Sequence, residues 1–408
     1  MRALLIGLCT ALCLSALGCG GGHDGTSLST GLGGGSPPAV SNVVSVVVDA
    51  GPTSTSLDAN TLFTTVTVCT PGSTTNCQTI DHIQVDTQSF GLRILAPALN
   101  LALPVQAAGG GASLLECTVF VDGYSWGPVA LADIKISGES ASSVPVQVIG
   151  DPNFSNVPAD CSGQAPTEED TVAAFGANGI LGIGVFDQDC GTTCVTTADN
   201  GFYFACTSTL CQPTTVALAG QVTNPVSLFA TDNNGSIIEL PNVAEQGAAT
   251  LTGSLIFGID TQTNNASGTE TVLTVDPQAG YLTAIFNSQS LTMSFIDSGS
   301  SGIFFTDTSI AQCTDPSFSQ FYCPASTLSL TVTLQGANGV SGEIGFSVDN
   351  AQTLEANNPT FTALPTLAGT YPTPGSFDYG LPFYYGRRVA TALENNTTSL
   401  GAGPYIAY

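Results

Sequence analysis

One eight-residue pattern occurs twice in the chain, and it constrains the fold more than any other feature. Val85-Asp86-Thr87-Gln88-Ser89-Phe90-Gly91-Leu92 and Ile296-Asp297-Ser298-Gly299-Ser300-Ser301-Gly302-Ile303 follow the same order. Each has an apolar residue, Asp, a hydroxyl residue, a variable position, Ser, a variable position, Gly and an apolar residue. Asp86 and Asp297 stand 211 positions apart, a separation that suits one lobe of a duplicated protein. A two-fold relation between such lobes brings the two Asp turns face to face. Two adjacent carboxyls sharing one proton can activate water for addition to an amide.

The rest of the chain reads as strands. It has 46 Gly and 23 Pro among 408 residues, and these break up short runs rich in Val, Ile, Thr and Phe. Strands are predicted over Val43–Val48, Phe63–Val68, Ile83–Val85, Ala130–Ile136, Val144–Ile149, Ser254–Ile259, Thr271–Val275, Met293–Ile296, Thr327–Leu334 and Glu343–Val348. Short helices are predicted near Thr214–Gln221 and Arg387–Leu393. The fold class is therefore all-β. The turn-rich Thr231-Asp232-Asn233-Asn234-Gly235 divides it into an N-terminal β-lobe over 41–230 and a C-terminal β-lobe over 231–408.

The first residues read as a processing signal. Arg2 precedes the apolar Ala3–Leu17, and Ala16-Leu17-Gly18-Cys19 is followed by Gly20-Gly21-Gly22. Small residues before a Cys and a glycine tether after it are the pattern of a bacterial lipoprotein signal. We expect a signal peptide over 1–18, lipidation at Cys19 and a flexible tether over 19–40. An ordinary secretory signal cut a few residues later is the alternative. Such a protein is exported and held through its lipid, with Gly20 favouring the outer membrane, facing the periplasm or the exterior.

Ten cysteines remain beyond Cys9, Cys13 and Cys19, and an even number in an exported chain reads as disulfides. Cys69 and Cys77 flank the turn signal Thr70-Pro71-Gly72 and are expected to close a hairpin. Cys313 and Cys323 are expected to close a second loop. Cys190, Cys194, Cys206 and Cys211 could form disulfides or a four-thiolate zinc site, and their spacing and compartment favour disulfides. No metal and no cofactor are expected.

Acidic residues outnumber Lys and Arg by 31 to 5. This excludes nucleic acid and anionic lipid surfaces as partners, because both require a basic patch. With so few cations, self-repulsion stays small when the carboxylates protonate, so the sequence suits acid. Arg387 and Arg388 supply two of the four basic residues beyond the signal and are expected to pair with local carboxylates or stay solvated. His82 reads as a locally satisfied histidine.

The order of motifs resembles that of the pepsin-like aspartic proteases over most of residues 60–390. Asp86-Thr87-Gln88-Ser89, with Leu92 and Ile94, stands where the family has its first Asp-Thr-Gly-Ser turn. Phe120-Val121-Asp122-Gly123-Tyr124-Ser125-Trp126, leading to Asp133-Ile134-Lys135-Ile136, stands where a flap hairpin is expected. Asn178-Gly179-Ile180-Leu181-Gly182 is similar to the apolar-Gly motif behind the first Asp. Gly253–Asp260 matches the strand that opens the second lobe, and Asp297-Ser298-Gly299-Ser300 the second turn. Phe377-Asp378-Tyr379-Gly380-Leu381-Pro382-Phe383 fits the second apolar-Gly motif loosely. The resemblance is closest to a bacterial lipoprotein branch of that family.

The resemblance implies a bilobal pepsin-like fold with an active-site cleft between the lobes. It implies an aspartic endopeptidase that hydrolyses peptide bonds with water activated by Asp86 and Asp297, on a polypeptide substrate, as a monomer. Thr87 and Ser298 would cross-brace the turns, and Ser89 and Ser300 would hydrogen-bond the outer carboxyl oxygens. Gly299 completes the second turn, and Phe120, Tyr124 and Trp126 are flap candidates. Three positions depart from the pattern. Gln88 replaces a Gly and is expected to disturb the first turn or send its side chain toward the cleft, which points to the alternative of an inactive protein binding peptide or another ligand there. The flap lacks a Tyr-Gly pair, and Arg93 stands where an aromatic residue is usual.

Overall fold

The computed structural model describes residues 41–52 and 59–408. The signal peptide, Cys19 and the tether lie outside the described residues. Each of the ten predicted strand segments falls on a strand. Val43–Val48 matches end to end, and Ile83–Val85 is the last part of a longer strand, Cys77–Asp86. β-Branched side chains fit a pleated, half-buried surface, and that pattern carries through. No helix among the described residues is long and apolar enough to cross a membrane.

The two helix expectations are corrected. Within Thr214–Gln221 there is only a three-residue 3-10 turn, Leu218–Gly220, whose last residue, Gly220, discourages continuation. Residues 388–392 form the strand Arg388–Ala392, inserted between Gly235–Glu239 and Tyr405–Ala407. Ala, Leu and Arg favour a helix locally, but ladders on both edges and burial of Val389 and Ala392 override that preference.

The same four-strand wiring occurs twice, and it places the Asp turns. In the first half, Cys77–Asp86 enters the turn and Phe90–Leu95 leaves it. Gly179–Ile183 lies between them, parallel to the first and antiparallel to the second. Phe90–Leu95 also pairs in parallel with Glu139–Ile149. In the second half, Gln289–Ile296 and Ile303–Phe305 flank Phe377–Tyr379 with the same directions. Ile303–Phe305 again takes a parallel partner, Ala368–Gly369. A strand wedged between the two arms pries each turn open, so the Asp cannot be consumed in a hairpin ladder.

Close backbone approach explains the glycine of each apolar-Gly motif. A Cβ on Gly182 would lie 2.4 Å from the Phe90 nitrogen, and one on Gly380 2.2 Å from the Gly302 oxygen. Only glycine permits either contact.

Val85, Leu92, Leu181, Ile296, Ile303, Tyr379 and Leu381 belong to one apolar cluster that runs through both halves. Each such side chain contributes about 1.5–3 kcal/mol on burial, so the residues framing the two Asp positions are also those that fix the core. The strand Val43–Val48 joins the halves in a 16-stranded sheet. It pairs through six residues with Leu251–Phe257 on one edge and through Val47 and Val48 with Phe63 and Leu62 on the other.

Five disulfides are present among the described residues: Cys69–Cys77, Cys117–Cys161, Cys190–Cys194, Cys206–Cys211 and Cys313–Cys323. The zinc alternative for Cys190, Cys194, Cys206 and Cys211 is ruled out because all four sulfurs are committed to disulfides. Arg388 pairs with Glu239 at 3.2 Å, while Arg387 lies over the Phe383 ring and donates to its carbonyl. His82 sits 3.3 Å from both Asp49 and Asp81.

Candidate functional site

The two turns are built alike from backbone donors. Asp86 Oδ1 accepts the N–H groups of Gln88 at 2.7 Å and Ser89 at 3.1 Å. Asp297 Oδ1 accepts that of Gly299 at 2.7 Å. The residue after each Asp then reaches across. Thr87 Oγ1 accepts the Ser298 N–H at 3.0 Å, and Ser298 Oγ donates to the Val85 carbonyl at 2.8 Å. Gln84 adds a bond from its amide to the Gly299 carbonyl at 2.9 Å, and Thr87 is also 2.8 Å from the Tyr384 hydroxyl. Each turn is thus held by the opposite one, which sets two carboxyls against each other with little freedom.

Asp86 and Asp297 are 4% and 1% exposed, and the Asp86 carboxyl lies against Gly299, whose own N–H holds Asp297. Burial, followed by the neighbouring charges of Asp86 and Asp378, pushes Asp297 well above the usual carboxylate range. The pair therefore retains a proton where isolated carboxyls lose theirs. A Cβ on Gly299 would meet Asp86 Cγ at 2.7 Å, so this glycine is what lets the opposite carboxyl approach.

Gln88 does not disturb the first turn. Its φ lies outside the left-handed region, its N–H makes the expected bond to Asp86, and it is buried. Because the turn does not use a positive φ here, a side chain is tolerated where glycine was expected.

The outer hydroxyls differ between the halves. Ser300 Oγ donates to Asp297 Oδ2 at 2.9 Å. Ser89 Oγ is buried and has no hydrogen-bond partner, which corrects the expectation that it holds Asp86. The cause is the orientation of that carboxyl. Both its oxygens face Gly299, 3.0 Å from where a Cβ would stand, and the backbone of its own turn satisfies Oδ1.

The hairpin expected to form a flap is present, with strands Ala112–Val119 and Tyr124–Ile136 closed by a Phe120 N–H bond to the Gly123 carbonyl. The three aromatic candidates are engaged in packing clusters of the first half. Phe120 meets Phe175 edge-on, and Trp126 meets Phe204 while donating to the Phe154 carbonyl. Tyr124 packs with Trp126 and the Cys117–Cys161 disulfide. Large rings find more contact area in these clusters than at a hairpin tip. The tip residue Val121 instead rests on a cluster containing Phe295, Phe304, Phe321 and Tyr371.

One site feature was not singled out from the sequence, and a second was noted there only as a departure from the family pattern. Asp378 is fully buried beside the dyad, and Ser300 Oγ reaches its Oδ2 at 2.6 Å. Its signal was a carboxyl inside an apolar-Gly motif, where the first half has Ile180. Arg93 forms a buried network behind the first turn, with Glu116 at 2.5 Å, Asp189 at 3.1 Å and the Phe90 carbonyl at 2.7 Å. Tyr203 completes it by donating to Asp189 at 2.7 Å. An aromatic residue could not balance Glu116 and Asp189, so the Arg explains itself by these partners.

These features assemble the bilobal, all-β, pepsin-like arrangement from the chain's own wiring. A family model described as "Protein of unknown function (DUF3443)" matches residues 38–408. Among solved structures, the aspartic proteinase from Irpex lacteus aligns over 90% of this chain and 96% of that chain, at 14% identity and a TM-score of 0.49. No curated protein matches.

Proposed function

The chain belongs to the DUF3443 family, and from that premise and the geometry of its paired turns we propose that it is an aspartic-type endopeptidase. The observation that carries this reading is the pair of buried carboxyls, Asp86 and Asp297, brought together by reciprocally braced turns. With one proton on the pair, the ionised carboxyl takes a proton from water as the water oxygen attacks the peptide carbonyl carbon. The protonated carboxyl gives its proton to the carbonyl oxygen. Collapse of the tetrahedral adduct passes a proton to the leaving nitrogen and returns the pair to its starting state. The substrate is polypeptide, and the protein is exported and tethered through a lipid on Cys19.

The burial of both carboxyls favours a second reading, a protein of the same fold that binds peptide or another ligand without cleaving it.

The test is cleavage of a denatured protein by the form lacking residues 1–19, from mildly acidic to neutral pH, with and without pepstatin and beside Asp297→Ala. Acid cleavage abolished by both treatments is the expected result. A folded protein that cleaves nothing across that range leaves the binding reading.

A further inference from the structure

Ser300 Oγ stands between two carboxyls, 2.9 Å from Asp297 Oδ2 and 2.6 Å from Asp378 Oδ2. A hydroxyl has one hydrogen and cannot donate to both. One of the two carboxyls must therefore carry a proton and donate to Ser300. Asp297 has a further donor in the Gly299 N–H. Asp378 has none: its Oδ1 is buried without a hydrogen-bond partner, and no ion pair among the described residues reaches it. A buried carboxylate so poorly solvated is costly, whereas the neutral acid needs only the acceptor that Ser300 supplies.

We propose that Asp378 is a third acid of the site, which stays protonated and donates to Ser300 Oγ, leaving the Ser300 hydrogen for Asp297. The site then holds two protons among three carboxyls while the dyad holds one. Asp378 is a positioning residue: it fixes the direction of the Ser300 hydroxyl, and so one outer oxygen of the dyad has a committed donor. The first half has no counterpart, since Ile180 occupies the matching position and Ser89 Oγ is unpartnered. The relay makes the pair asymmetric in spite of its two-fold wiring.

The titratable groups facing Asp378 are Asp86 and Asp297 from the two turns, with Tyr371 and Tyr384 from the segments packed beside them. Burial lifts Asp378 well above the carboxylate range, the Ser300 bond offsets part of that, and the charge of Asp86 adds to it.

The positioning role rests on the peptidase reading; the protonation does not, and the experiment separates them. Protein labelled with carbon-13 at the aspartate carboxyls is titrated by NMR, with Asp378→Asn identifying the resonance that disappears. That resonance should keep the shift of a protonated acid from about pH 4 to about pH 7, where an ordinary Asp is ionised. If Asp378→Asn does not fold, Ser300→Ala identifies the same signal by moving it. An ionised Asp378 at about pH 5 overturns the proposal whether or not the protein cleaves peptides. A protonated Asp378 in a protein that cleaves nothing supports the assignment and overturns only the peptidase reading. In an active protein, Asp378→Val should lower kcat about tenfold with KM unchanged, and Asp378→Asn, which keeps a donor, should recover most of that loss. Equal losses in the two variants overturn the positioning role.

Discussion

Gly299 lies against the carboxyl of Asp86 so closely that a single added carbon would sit 2.7 Å from its Cγ. The matching residue of the other turn, Gln88, carries a full side chain and leaves its own turn intact. The two variable positions are therefore not equivalent. Gly299→Ala should push the carboxyls apart and reduce cleavage by at least about a hundredfold, since small misplacements of reacting groups cost that much. Gln88→Gly gives the backbone no relief and should lower stability by about 0.4–1 kcal/mol through the freer unfolded chain. Cleavage rates and urea unfolding of the two variants check both expectations.

The protein should be more stable in mild acid than at neutral pH. Burial and then the charge of Glu394 raise Asp187 to about 6, and burial and then the charge of Asp232 raise Glu139 to about 7. Carboxyls raised in the folded state contribute stability that is full below their ordinary values of 3.8 and 4.5. That stability is lost as pH climbs through about 6 and about 7. Melting temperature should fall across this window, and Asp187→Asn with Glu139→Gln should flatten the slope. A melting curve that rises with pH over the same range overturns the assignment.

Arg93 is the buried cation that balances Glu116 and Asp189. Arg93→Met should cost about 3–5 kcal/mol at neutral pH, because it leaves carboxylates buried without a counter-charge. The defect should shrink in acid, since burial already pushes Asp189 well above the usual carboxylate range. Arg93→Lys should rescue little, since an ammonium cannot reproduce the fork that serves both acids and the Phe90 carbonyl. Denaturant unfolding at two pH values decides the matter.

Among the disulfides, Cys117–Cys161 should matter most for stability. It closes a span of 44 residues, whereas Cys190–Cys194 closes one of 4. Loop entropy assigns about 4 kcal/mol to the first and about 2 kcal/mol to the second. Paired Cys→Ser variants compared by urea unfolding should preserve that order.

The framework was legible in the sequence because its signals are local or repeated. The Asp86 and Asp297 turns repeat, Thr87 and Ser298 cross-brace them, and Val43–Val48 announces a strand through its five valines. What escaped depended on distant partners. Asp378 reads as an ordinary polar break until Ser300 is brought to it across 78 residues. The Cys117–Cys161 bond has no turn between its ends to announce it. Arg388–Ala392 has helix-forming residues, and only its two flanking strands make it extended. Phe120, Tyr124 and Trp126 pointed to a flap by sequence order, but where they lie was decided by the rings available to pack against.

The strand Val43–Val48 also sets a timetable. It is made early, yet most of its pairing waits for Leu251–Phe257, which emerge some 200 residues later. Until then a run of valines offers an open edge, a template for strands of other chains. A fragment ending at residue 230 should therefore aggregate where the whole chain stays monodisperse in light scattering. Export in an unfolded state, with the whole chain delivered before pairing begins, would spare the protein that exposed interval.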